Sequence, residues 1–272
     1  MGDITNRNCN KAMKTPEQLS AELYDVSVPD WDGEMDFYRT FALQARDRGQ
    51  PVLEVACGTG RVTTRLAREG VNITGIDLDE EMLKIAHTKN SNLSNLHWRQ
   101  GDMRFFELGE TFGLIIVPGH SFQFMCTPED QVKALETFRR HLIPGGIVVI
   151  HVNFDDVKWL GDLLHTLGGK FEPVCEVMHP QTDCRMRKSN AWTYEHSTQT
   201  ATVITKWEEI GEDGSIAYTW ERKPMALHCL FPFEMEHLLA RTGFNEQVVY
   251  GDFYRNPLGE NSPDMIWVAR KS

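Results

Sequence analysis

The chain has no closely spaced cysteines. Its six, Cys9, Cys57, Cys126, Cys175, Cys184 and Cys229, lie far apart. That excludes a CxxC redox centre and any zinc-ligand spacing, and reduced structural thiols in a cytoplasmic protein are expected. No apolar run approaches the roughly 18 residues of a membrane span, and residues 1–20 are too polar for a signal peptide. Basic excess is also missing. With 28 Lys and Arg against 39 Asp and Glu, the formal net charge is −11. Nucleic acid is therefore a poor partner, because duplex binding needs a basic face to displace counterions. Arg185, Arg187 and Lys188 form only a small local cluster, expected to be a solvated loop. No internal repeat or low-complexity tract appears.

What remains is an ordinary globular composition, 41% hydrophobic and 25% charged over 272 residues. That length suits one large domain, or a core with a smaller appendage. Residues 1–14 are polar and expected to fray. Thr15 followed by Pro16 and Glu17 reads as a helix start, with Thr15 as N-cap and proline in the first turn. Phe37, Phe41 and Ala45 recur at helical spacing within 31–48. Strands and helices then alternate: strand 52–56, helix 60–69, strand 71–76, helix 80–88, strands 96–100 and 112–118, helix 128–142 and strand 147–152. The stop Pro144-Gly145-Gly146 follows the last helix. Such alternation implies a parallel sheet covered on both faces. From about 170 to 231 the pattern becomes β-like, with runs 172–179, 192–196, 201–210 and 215–230. Glu212-Asp213-Gly214 is a hairpin signal, so three or four antiparallel strands are expected. A helix at 232–242 and strands 246–250 and 265–269 complete the main sheet. The expected domains are a helical cap (1–50), a core (51–169 with 232–272) and a β insertion (170–231).

The stretch Val52–Asp77 is the most informative. An apolar strand enters a turn carrying Gly58 and Gly60, a helix follows, and a second strand ends on Asp77. In open parallel sheets ligands bind beyond the strands' carboxyl ends. Glycines allow close backbone approach there, and the helix start presents unpaired N–H groups. A carboxylate at Asp77 suits the two hydroxyls of a ribose. A dinucleotide fingerprint would place a third glycine at position 63, where the chain has Thr63. Glu54, inside the strand before the turn, would repel pyrophosphate yet tolerate a cationic ligand. Asp102, after the third strand, suits an adenine amino group.

The run EVACGTG at 54–60, with GID at 75–77, GDM at 101–103 and LIPGG at 142–146, resembles the class I S-adenosylmethionine-dependent methyltransferases. The likeness covers roughly residues 24–153. It implies an α/β, Rossmann-like seven-stranded methyltransferase sheet, with helices on both faces, the last strand antiparallel, and a small antiparallel β insertion. It also implies S-adenosyl-L-methionine as cofactor. Gly58 and Gly60 would lie against the methionine portion, Asp77 on the ribose, Leu78 and Met82 beside the adenine, and Asp102 and Met103 at its edge. Glu54, Ala56, Gly101 and Pro118 complete the expected shell. The N-terminal helices and the insertion resemble the small-molecule branch, such as the amino-sugar N,N-dimethyltransferases and glycine N-methyltransferases. In that branch Tyr24 and Tyr38 would reach the methionine end. The insertion would form a lid or a homodimer surface.

Methyl transfer is an in-line displacement in which the protein chiefly aligns the reactants. A hydroxyl nucleophile gains more from a base than a neutral amine does. The segment 118–123 follows the fourth strand and would face the transferring methyl. His120 is the base candidate, since an imidazole ordinarily titrates near neutrality. Ser121 and Gln123 would orient a polar substrate group. Candidate pocket walls are Trp159, Trp192, Tyr194, Trp207, Tyr218, Trp220, His228, Phe231 and Tyr254, with Trp192 and Tyr194 foremost. Arg222 and Arg255 would pair with surface acids or an anionic substrate. No acidic ligand cluster follows the fourth strand, so no metal is expected. The leading expectation is methyl transfer to nitrogen or oxygen of a small metabolite, without nucleic acid or membrane. The alternatives are cofactor binding without methylation, methylation of a protein, and an NAD-dependent oxidoreductase.

Overall fold

Residues 14–89 and 93–272 are described by a computed structural model. The expected fraying of 1–13, and Cys9, lie outside these residues. Two helices come first, α1 (Pro16–Ser27) and α2 (Glu34–Asp47). Thr15 caps α1: its hydroxyl accepts from the Gln18 amide, and the Gln18 side chain accepts from the Thr15 amide. This reciprocal box satisfies two amides the helix start leaves open.

The main sheet follows, interleaved with helices: β1 (Val52–Val55), α3 (Arg61–Arg68), β2 (Ile73–Asp77), α4 (Glu80–Lys89), β3 (Leu96–Gln100), β4 (Phe112–Val117), α5 (Pro128–His141) and β5 (Leu142–Asn153). α6 (Val157–Asp162) leads to a second sheet of β6 (Phe171–Met178), β7 (Arg185–Glu195), β8 (Thr200–Ile210), β9 (Ile216–Glu221) and β10 (Met225–His228). The chain returns through α7 (Pro232–Arg241), β11 (Glu246–Tyr250) and β12 (Asp264–Arg270). The seven-stranded order is β3-β2-β1-β4-β5-β12-β11. β12 runs antiparallel to both β5 and β11 and the other pairs are parallel, as the resemblance implied.

The alternation of a strand sends successive side chains to opposite faces, and here both faces are dry. Leu53, Val55, Ile115, Val117 and Ile150 join α5 and α7 in one core. Val52, Ile73, Leu114, Ile116 and Val149 join α2, α3 and α4 in the other. Polar groups are thereby displaced to the strand ends.

The second sheet departs from expectation in having five strands. The run 215–230 is two strands, β9 and β10, laid successively along one edge of β8. Pro224 sits between them and has no amide to donate to a ladder. The basic cluster lies on β7, where the Arg187 guanidinium meets Glu176 at 2.9 Å. The Pro144-Gly145-Gly146 stop is drawn into β5 rather than preceding it, with Gly145 at φ +72° and a register shift opposite Phe112 and Leu114.

Trp98 of β3 fixes two glycines by packing. A Cβ on Gly60 would stand 2.3 Å from its ring, and one on Gly75 would stand 2.6 Å away. Overpacking of this kind costs about 1–3 kcal/mol. Gly75→Ala is therefore expected to lower stability by that amount in urea unfolding. The loss should be largely recovered in Gly75→Ala with Trp98→Leu, and an equal loss in both backgrounds would refute the packing argument.

Candidate functional site

The turn after β1 is built from left-handed residues: Ala56 (φ +56°), Gly58 (+55°) and Gly60 (+77°). Asp77, at the end of β2, holds it. One carboxylate oxygen accepts the Gly58 amide at 2.6 Å and the other accepts the Asp79 amide at 2.8 Å. Burial raises the Asp77 pKa against these bonds. A Cβ on Gly58 would meet nothing within 4 Å, so the turn opens onto space there. Gly60 is different, because its missing side chain is required by Trp98 rather than by room for a ligand.

The N-terminal helices are clamped over this turn. The Thr59 hydroxyl donates to Asp25 at 2.5 Å, and Lys89 bridges Asp25 and the Thr59 carbonyl. Arg61 forks onto Glu34 at 2.6 and 2.8 Å and reaches Asp30 at 2.5 Å. Glu34 is wholly buried, and the bidentate pair compensates its charge. Tyr24 lies among Arg61, Asp77, Glu34 and Glu54, and its pKa is raised by burial first. Tyr38 is fully buried and its hydroxyl has no partner. An orphaned buried hydroxyl among Glu34, Glu54 and Arg61 suits a ligand that brings its own polar groups.

Glu54 corrects one sequence argument. It is 2% exposed, accepts the Thr63 hydroxyl, and is pushed by burial to a pKa of about 8. At neutral pH its carboxyl carries a proton, so it does not repel phosphate by charge. The same bond explains why position 63 is threonine: its hydroxyl caps the buried acid. Other expected shell residues vary. Leu78 is exposed and Met82 half-buried, while Met103 and Pro118 are buried, Met103 within the α5-side core. Gly101 packs against Phe106. Both oxygens of Asp102 are engaged by Arg104, at 2.6 and 2.9 Å, so a ligand at this edge would share that acid with Arg104.

Beyond β4 and β5 lies a cavity of about 410 Å³. His120, Gln123, Asn153, Asp155, Trp159 and Trp192 are among its walls. Trp159 and Trp192 meet edge-to-face at 5.5 Å. Asp155 is 8% exposed. One oxygen accepts from Asn153 at 2.5 Å, and the other has only the weak Cys229 thiol beside it. Burial raises the Asp155 pKa. His120 stands at φ +64°, leading a short 3-10 turn (Ser121–Phe124). Its Nε2 lies 3.1 Å from Asp264 and 3.0 Å from Nε2 of His151. Asp264 is held well below the usual carboxylate range by its imidazole partners, against burial. Burial drives His151 down to about 4.

Of the two expected substrate contacts after β4, Gln123 also holds the loop in place. The Gln123 amide donates to the His228 carbonyl at 3.0 Å and accepts from the Asn153 amide at 2.9 Å, stapling the loop to β5 and β10. Ser121 is buried. Trp192 is a wall, whereas Tyr194 packs at the margin of the Leu160, Ala201 and Cys229 cluster, as does Phe231. Trp207 is buried with Leu19, Leu23 and Met186, and Trp220 and Tyr218 lean on each other at 5.8 Å. His228 binds Glu234 at 2.8 Å, Tyr254 is exposed, and Arg255 covers the Phe37 and Phe41 rings. Sequence reasoning missed Glu34, Arg61, His151, Asp155 and Asp264. Arg61, directly after the glycine turn, was the one with a local signal.

The strand order with antiparallel β12, and an acid-held glycine turn at the carboxyl edge, define a Rossmann-like class I methyltransferase fold. Residues 52–146 match the family described as methyltransferase domain, and over that stretch the chain is similar to S-adenosylmethionine-dependent methyltransferases. It is 37% identical over 99 residues to a dTDP-3-amino-3,4,6-trideoxy-alpha-D-glucopyranose N,N-dimethyltransferase from Streptomyces venezuelae, covering 36% of this chain and 40% of that protein. With glycine N-methyltransferase from Oryctolagus cuniculus the identity is 25% over 264 residues, 86% of this chain and 84% of the relative. The structure of the CcbJ methyltransferase from Streptomyces caelestis shares the fold, with TM-score 0.74 and 23% identity, over 95% of this chain and 98% of that one. The chain spans only between 40% and 53% of the length of the amino-sugar dimethyltransferases it matches. Among the described residues, no helix is long and apolar enough to cross a membrane.

Glu54 generates a pH prediction. The unfolded carboxyl loses its proton above its ordinary 4.5, whereas the folded one keeps it to about 8. Unfolding therefore releases a proton in that window, and stability falls as pH rises through it. Melting temperatures taken from about pH 5 to about pH 8 should decline less steeply in Glu54→Gln than in the native protein. Parallel profiles would mean that Glu54 is ionised when folded.

Proposed function

We propose that the protein binds S-adenosyl-L-methionine and methylates a nitrogen of a small metabolite. The observation that carries this is Asp155, a buried acid whose second oxygen has no hydrogen-bond partner, in the lining of a cavity with Trp159 and Trp192. An acid beside aromatic faces suits an amine, through charge-assisted hydrogen bonding and cation–π contact. The N-methyltransferase names of the relatives favour nitrogen over oxygen.

When bound, the cofactor supplies a methyl group made electrophilic by a sulfonium. The chain's own residues bind and orient. The Gly58 turn and Asp77 would hold the nucleoside side, and Tyr24 and Tyr38 the methionine side. Asp155 would draw the amine into the cavity in its protonated form. An amine attacks only when neutral, so a proton must leave first, and His120, oriented by Asp264, is the acceptor. Residues 51–169 with 232–272 act as the core in this reading, 1–50 as a cap, and the sheet within 170–231 as the acceptor-side wall.

Calorimetry is expected to detect cofactor binding by the native protein and strong weakening in Asp77→Ala. In acceptor screens, amines should be methylated and the corresponding alcohols not. Asp155→Asn should raise the amine KM about tenfold or more, the worth of a charged hydrogen bond, while His120→Ala should lower kcat with cofactor affinity kept. Binding without turnover on any amine, or turnover on a protein acceptor alone, would replace this proposal with one of its alternatives.

A further inference from the structure

The expectation of no metal rested on one segment, the loop after β4. Three potential ligand atoms instead converge from three places: His120 after β4, His151 within β5, and Asp264 at the start of β12. His120 Nε2, His151 Nε2 and one oxygen of Asp264 form a triangle with sides of 3.0, 3.1 and 2.9 Å. His151 is 0% exposed and Asp264 5%. It is the one such cluster of His, Cys, Asp and Glu among the described residues.

Proton counting makes this triangle awkward without a cation. A neutral imidazole carries one proton on either nitrogen. If both Nε2 atoms are protonated, two donors face each other at 3.0 Å. If only one is, the other turns a lone pair toward the carboxylate at 2.9–3.1 Å. Each assignment buries one repulsive contact, and the remaining His151 nitrogen, Nδ1, is buried without a partner.

We propose that His120, His151 and Asp264 form a binding site for a divalent first-row transition ion, on one triangular face of its coordination sphere. In an octahedral site with bonds of about 2.1 Å, adjacent ligand atoms stand about 3.0 Å apart, and in a tetrahedral zinc site about 3.3 Å. The observed sides match the octahedral face. Two imidazoles and one carboxylate are the donor set such ions accept while keeping open positions. Trp31 packs edge-on against both rings at 5.2 Å, and Phe253 against His151 at 4.9 Å, fixing the ring planes that a preformed site needs. His120 is the half-exposed member and lines the cavity, which gives an ion its way in. A bound ion would occupy the Nε2 lone pair of His120, so the proton acceptance proposed above belongs to the metal-free protein.

The test uses cobalt(II) as probe, on the full chain stripped with chelator and with any purification tag removed. Equilibrium dialysis should give one tight equivalent, with a visible ligand-field spectrum and a raised melting temperature. His120→Gln should weaken affinity more than about a hundredfold, beyond the roughly 10–100-fold that loss of an outer-shell group alone produces, and abolish the thermal shift. His228→Gln, a buried histidine outside the triangle, should leave both intact. Asp264→Asn is a second arm, and if it does not fold, His120→Gln at its half-exposed position decides the matter. No bound cobalt at micromolar levels, or equal affinity in His120→Gln, overturns the proposal. Neither result touches cofactor binding, which calorimetry reads separately.

Discussion

The carboxylate of Asp77 ties the ends of two neighbouring strands together, and much of the functional edge hangs on that tie. The turn it holds contains left-handed Ala56, Gly58 and Gly60, a conformation an alanine adopts only under constraint. Asp77 supplies that constraint by accepting the Gly58 amide, and the Cys57 amide adds a bond to the Ile76 carbonyl at 2.9 Å. Once the turn is set, Thr59 reaches Asp25 and Arg61 reaches Glu34, so α1 and α2 close over the same edge. The cap thus owes its position to a turn in the core.

Buried acids around this edge differ by their partners. Glu34 is neutralised by the Arg61 fork and Glu54 by a proton, whereas Asp264 lies within hydrogen-bond distance of two imidazoles. Asp155 has one oxygen bonded to the Asn153 side chain and the other buried without a hydrogen-bond partner. A carboxylate removed from water without compensation is costly, so the acid left incomplete is the one a ligand completes.

Much of the main sheet was legible in the chain. Apolar runs such as 112–118 and 147–152 are strands buried on both faces, and the helix expected at 128–142 is α5, although the Pro144-Gly145-Gly146 stop lies inside β5. The glycine turn and Asp77 were legible for the same local reason. The second sheet was read less well, because β9 and β10 form one β-like run and only pairing with β8 shows the break at Pro224. At the site, Glu54 misled: an acid looks charged in a sequence, and only burial against Thr63 shows that it is neutral. Gln123 and Met103 have packing that their sequence positions do not reveal, one engaged by backbone and the other enclosed in the core.

The sequence by itself determined the alternation of strands and helices, the glycine turn with its acid, and hence the class of fold, because each depends on neighbours within a few residues or one βαβ unit. Tertiary structure alone decided which polar groups meet. His120 and His151 reach Asp264 across 144 and 113 residues, and Asp155 finds its aromatic walls on α6 and β7. Those meetings follow from sheet order and from the burial that drives polar side chains to the strand ends, and no local pattern encodes them.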